Sequence, residues 1–325
     1  MFLLTNQIPF PKNYERFIEL GQEAIKKNNL IEAVDYYEQA YAIQQDFPLN
    51  LVLVNIYLEL GENEQALSLA SEMKEKYFAN LDYMEIYIQI LIQNHMFIQA
   101  HSLINERILM EQSGEMRKLI SLKKKIRHVE LMYQEFEVGK IKELQKELDH
   151  LNTHNYYEQI AIVKKAGQLP HDEFIVIGKK ILLDAHVHNL VRSWILEELA
   201  SLHLKEEVQF LWRDNKKYTV IPACIGTPLD SAAYQRILLF LEKELINDDP
   251  ILLVDIMEEI RLHFALLYPL ADEIIKDPRL WAISYISSYS HSTAQKYQVD
   301  EEQSEIEKIK KIQNQIRLEL ETMIL

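Results

Sequence analysis

The chain has 325 residues, of which 48% are apolar and 26% charged, the proportions of a soluble folded protein and not of a disordered or collagen-like one. Seven glycines and nine prolines are too few for a fold of many tight hairpins or for a glycine-rich nucleotide loop, so the composition points to helices. A net charge of −15, from 35 basic and 50 acidic residues, sets the overall field against nucleic acid and anionic membranes and favours basic or apolar partners.

The opening Met1-Phe2-Leu3-Leu4-Thr5 has no basic segment or cleavage site and is interrupted by Asn6, Gln7 and Pro9, so it does not read as a signal peptide. No run approaches the roughly 18 apolar residues of a membrane helix. The single cysteine, Cys224, cannot form an internal disulfide, and its apolar, proline-rich surroundings predict a partly buried, inert thiol. These features together predict a cytoplasmic protein.

Chain order then exposes a repeat. Ala33, Ala66 and Ala100 each follow a Glu or Gln and lie 33 and 34 residues apart. Each sits near the start of the second of two apolar-periodic helices. Phe17, Gly21, Ala24, Tyr37 and Ala40 mark the first pair, Leu53, Tyr57, Gly61 and Ala70 the second, and Met84, Tyr87, Leu91 and Ile104 the third. A small side chain at the crossing lets two helices approach closely. Gly61 suits the turn of the second pair, whereas Asn28 and His95 stand in its place in the others, so one turn of the three is expected to be ideal.

Residues 14–114 thus resemble three tetratricopeptide (TPR) repeats, helix-turn-helix units of about 34 residues. The family's first-helix Trp is missing throughout. The resemblance implies an all-α, helical-hairpin solenoid whose first helices line a concave groove for a peptide or helix. It places Glu15, Ile18, Gln22 and Ile25 in that groove, followed by Leu51, Asn55 and Leu58, then Asp82, Glu85, Gln89 and Ile92. The basic members of the TPR clamp for a C-terminal carboxylate are absent from these positions, and only Asn55 matches it. The expected partner is therefore an apolar or basic protein segment rather than a chaperone tail.

Residues 115–205 read as degenerate helical repeats continuing the array. A basic cluster from Arg117 to Arg127 lies on a long helix and reads as a solvated face, not a nucleic-acid footprint. Residues 206–290 form a C-terminal domain. In it, Val208–Leu211 and Tyr218–Ile221 flank a polar turn and predict a β-hairpin over 208–221, either a flap packed through Phe210 and Trp212 or an edge for strand addition. Helices follow from Pro228, Asp249-Pro250 and Arg279. The series formed by the hairpin, Asp249-Pro250, His263-Phe264, Tyr268-Pro269 and Trp281-Ala282 is similar to the TPR-repeat proteins of low-GC Gram-positive bacteria, a family that brings no established activity or catalytic residues. Residues 299–325, with Ile309, Ile316 and Met323 seven apart, make an amphipathic helix that either caps the array or joins two copies as a homodimer.

No motif for catalysis, metal or cofactor emerges. His150 and His154 lack the Glu of a zinc-protease motif, His186 and His188 sit in a turn, and His263 reads as a hydrogen-bonded packing residue. The chain reads as a non-enzymatic interaction scaffold. A peptide-sensing regulator is the alternative, disfavoured because about a dozen residues precede the first repeat where such sensors carry an effector module. An enzyme would need a site that the sequence does not display.

Overall fold

A computed structural model describes residues 12–111, 114–289 and 303–321. The opening segment, Met323 and the first residues of the expected terminal helix lie outside these ranges. The described chain is all-α apart from one hairpin, a TPR-like array as the sequence implied.

The first hairpin pairs α1 (Lys12–Lys26) with α2 (Leu30–Ile43), and the second pairs α3 (Phe47–Leu60) with α4 (Asn63–Glu72). An extra turn, α5 (Lys74–Tyr77), leads to the third pair, α6 (Leu81–Gln93) and α7 (Phe97–Leu109). Side-chain caps start several of these helices. Asn29, Asp46 and Asn80 accept the backbone N–H three residues on, at 3.3, 2.9 and 2.9 Å, satisfying donors that a helix N-terminus leaves free.

Ala33, Ala66 and Ala100 are all fully buried. Without bulk at these points the paired helices close on one another, as the spacing implied. The closest approach is in the first pair, where a methyl group on Gly21 would stand 2.7 Å from the Tyr37 ring. The three turns turn out to be alike. Asn28, Gly61 and His95 all have left-handed backbones, with φ of 58°, 77° and 57°. Each is followed by the same bond from the next N–H back to the carbonyl five residues earlier: Asn29 to Ala24, Glu62 to Tyr57 and Met96 to Leu91. The expectation of a single ideal turn is corrected: the helix ends impose the αL position, and Asn and His accept it at modest cost.

The basic cluster lies on one long helix, as expected, α8 (Met116–Phe136), which is followed after Glu137 by α9 (Val138–Asp149). Next come α10 (Tyr156–Lys165), α11 (His171–Leu182) and α12 (Asn189–Ser201). These do not simply extend the row: α11 and α12 fold back onto α7, and Asn105 of α7 donates to the Leu202 carbonyl at the end of α12 (3.0 Å). A buried ionic joint fastens this return. Glu130 of α8, wholly buried, meets His101 of α7 at 2.9 Å, accepts the His171 N–H of α11 at 3.0 Å and pairs with Arg127 at 3.3 Å. Burial alone would raise its carboxyl pKa, but these partners outweigh it and hold the group below the ordinary carboxylate value.

Strands β1 (Val208–Leu211) and β2 (Lys217–Val220) pair antiparallel, with Val208 opposite Val220 and Leu211 opposite Lys217. β1 packs on α11 through buried Phe210, as the flap reading expected. The C-terminal helices are α13 (Ala232–Leu245), α14 (Pro250–Leu267), α15 (Ala271–Ile274), α16 (Pro278–Tyr289) and α17 (Gln303–Glu321). The apolar stripe of α17 is spent inside the molecule. Ile306, Ile309 and Ile316 are buried in the same core as α13, α14 and α16, and Gln313, fully buried, accepts from Ser284 (2.8 Å). Arg317 adds an ion pair to Glu259 of α14, at 2.5 Å. Within the described residues this helix therefore caps its own chain, and the stripe offered for a homodimer is not free.

Candidate functional site

The first helices of successive pairs lie side by side and form one wall. A cleft of about 620 Å³ opens between α1 and α3, with Glu15, Ile18, Glu19 and Gln22 on one side and Pro48 and Val52 on the other. Phe47 at the start of α3 stacks edge-on against Tyr83 of α6, with centroids 5.0 Å apart. Lys118 and Lys125 of α8 reach Asp82 and Glu85 of α6 at 3.1 and 3.5 Å. The wall thus runs α1, α3, α6, α8.

The candidate residues fare differently along it. Glu15, Ile18 and Gln22 share the cleft, and Ile25 is exposed one turn further along α1. Leu51 and Leu58 are half-buried on α3. Asn55 is exposed, and one of its two amide N–H groups donates to the Leu51 carbonyl in its own helix at 2.8 Å, leaving the other N–H and the side-chain carbonyl facing solvent. Asp82 and Glu85 stay exposed, as does Gln89, but the α8 lysines already answer the two carboxylates. Ile92 is buried, with 7% of its surface exposed, and is withdrawn from the groove.

Charge divides this wall. The cleft between α1 and α3 carries the acids Glu15, Glu19 and Asp46 and no basic side chain, whereas the α6 and α8 end is balanced by exposed ion pairs that add little energy. Asp46 does two jobs. One oxygen caps α3, and the other accepts the Tyr14 hydroxyl at 2.5 Å, a bond that pushes the phenol up to about 12. Tyr14 and Asp46 escaped the repeat reasoning because they lie at helix starts rather than on the periodic face. The readable signal was Asp46-Phe47-Pro48, a cap followed by proline in the first turn.

The histidines do not converge. His150 bonds the Lys146 carbonyl at 2.8 Å while His154 faces Glu158 at 3.2 Å. No group of three or more His, Cys, Asp or Glu able to hold a metal occurs among the described residues. His263 is fully buried against the Tyr285 hydroxyl at 2.7 Å, and desolvation pulls its pKa down to about 4, so it packs as a neutral ring. Cys224 is exposed in a short 3-10 turn, which corrects the expectation of a partly buried thiol. No helix among the described residues is long and apolar enough to cross a membrane.

The chain is similar to the TPR repeat-containing protein YsoA of Bacillus subtilis (strain 168): 26% of residues are identical over 288 positions, covering 85% of this chain and 83% of that one. That relative is a TPR-repeat protein of a low-GC Gram-positive bacterium, the kind of protein that the residues resembled. No family model matches the chain. No solved structure matches it either.

Proposed function

We propose that this TPR-like chain is a non-catalytic adaptor that holds a protein segment against the wall formed by α1, α3 and α6, with Glu15, Ile18, Gln22, Leu51, Asn55, Leu58, Asp82, Glu85 and Gln89 as its contact residues. The reading is carried by the α1–α3 cleft: apolar at Ile18 and Val52, acidic at Glu15, Glu19 and Asp46, and free of basic side chains. Such a lining favours a segment that alternates apolar with lysine or arginine side chains, since burial of the apolar part supplies affinity and the acids supply orientation and encounter rate. The Asn55 side-chain carbonyl accepts a backbone N–H of that segment.

Affinity capture from the native cells with quantitative mass spectrometry tests the proposal. Wild type is compared with Leu51→Arg/Asn55→Ala and with the surface charge reversal Glu15→Lys/Glu19→Lys, each checked for native helicity by circular dichroism. Both variants are expected to lose the same set of proteins. Equal retention by folded variants overturns the groove as the binding face.

A further inference from the structure

Away from the wall, α12, the β-hairpin and the end of α14 meet around a small cavity with room for one water-sized occupant, lined by Arg192, Arg213, Trp212, Asn189 and Ser193. Arg192 is 4% exposed. Its guanidinium donates to the Asp184 and Val187 carbonyls, both at 2.7 Å, and to the Asn189 side chain. Its Nε–H is buried with no partner, and so is the indole N–H of Trp212. The hydroxyl of Tyr268, which lines the same cavity, is likewise buried with no partner, and three such groups around one cavity call for an acceptor.

Charge narrows what that acceptor is. Among the described residues Arg192 has no carboxylate at ion-pair distance. The two acids it senses are committed elsewhere: Asp184 caps the His186 N–H and accepts from Asn152 (2.9 and 2.8 Å), and Glu319 pairs with Arg213 at 3.1 Å and also accepts from Asn189. Arg213 in turn lies over the Trp212 ring, 5.9 Å from its centre. Arg192 and Arg213 both line the cavity, and no carboxylate does. A buried arginine that makes no ion pair of its own is costly, and a small anion accepting these N–H groups reduces that cost.

We propose that this cavity is a binding site for a single monatomic anion of the halide class, held by Arg192 Nε–H and Trp212 Nε1–H. A bound halide ties the start of α12 to the hairpin and to the end of α14, so it acts on the stability of the C-terminal half rather than on the partner groove.

The test uses the full chain. Melting is followed at constant ionic strength in sodium chloride, sodium bromide and sodium gluconate, and crystals soaked in bromide are examined for anomalous scattering. Wild type is expected to show a saturable rise of about 2–4 °C in chloride or bromide over gluconate. Trp212→Phe, which keeps an aromatic ring but removes the donor, is expected to fold and to lose most of that rise. A bromide peak between Arg192 and Trp212 is expected. An occupant that scatters as water, a melting point indifferent to the anion, or an undiminished rise in Trp212→Phe overturns the proposal.

Discussion

Replacing Asn50 with leucine should loosen the array between its second and third helical pairs. Asn50 is fully buried on α3, and its amide donates to the Leu69 carbonyl at 2.9 Å and to the Tyr41 hydroxyl at 3.1 Å, while its carbonyl accepts the Tyr77 hydroxyl at 2.8 Å. Leucine fills similar space but strands two groups: the wholly buried Tyr77 hydroxyl and the Leu69 carbonyl. Tyr41 keeps its bond to Glu72 at 3.0 Å. At about 1–3 kcal/mol for each orphan, partly offset by the apolar gain, the expected loss is roughly 2–5 kcal/mol. Urea unfolding by circular dichroism, with hydrogen exchange on peptides from residues 30–110, measures the loss and locates it. Tyr77→Phe alone should cost about 1–3 kcal/mol, and the double variant less than the two singles together, because each removes the group the other strands. Additive singles, or an Asn50→Leu protein within about 0.5 kcal/mol of wild type, would refute the reasoning.

Gly21→Ala should destabilise by about 1–3 kcal/mol although alanine is the better helix former, because its methyl group meets the Tyr37 ring, and Tyr37→Leu in the same chain should restore most of the loss in a urea titration. Glu198, pushed up to about 7 by burial and by the neighbouring Glu197, holds its proton in the folded state while the unfolded chain ionises near its ordinary 4.5. Stability should therefore fall as pH rises from about 4.5 to 7 and level off above that, and Glu198→Gln should flatten this slope, gaining on the order of 3 kcal/mol at pH 8 and nothing at pH 4 in thermal melts. Ile316→Asp places a charge in a fully buried position of α17 and should release that helix to rapid hydrogen exchange while leaving exchange in α1–α4 unchanged.

The array itself was readable because its physics is local. A small residue at each crossing and a left-handed turn before it recur at one period, and the period survives wherever the packing does. The turns at Asn28 and His95 were underestimated because residue preference says less than the geometry of a helix end. The β-hairpin and the stripe of α17 were equally plain, each being a short pattern of alternating or heptad apolar residues. What stayed hidden depends on contacts between distant segments. Nothing near Arg127 or Glu130 announces that α11 will fold back onto α7, and only the assembled joint shows that Lys118 and Lys125 neutralise Asp82 and Glu85. The Asn50 pin was masked for the same reason, since Tyr77 belongs to an extra turn outside the repeat frame. In the candidate groove, periodicity located Glu15, Ile18 and Gln22 but not Tyr14 or Asp46, which reach the cleft from helix starts.

The account rests on one face of the helical array being the gripping face, and site-specific photo-crosslinking in native cells tests that most directly. A photoreactive residue is placed at Gln22, Asn55 or Gln89 on the wall, or at Gln39 or Ser68 on the exposed sides of α2 and α4. Adducts of a common partner are predicted from the three wall positions and not from the other two, whereas equal yields from both sets, or adducts from α2 and α4 alone, would contradict it.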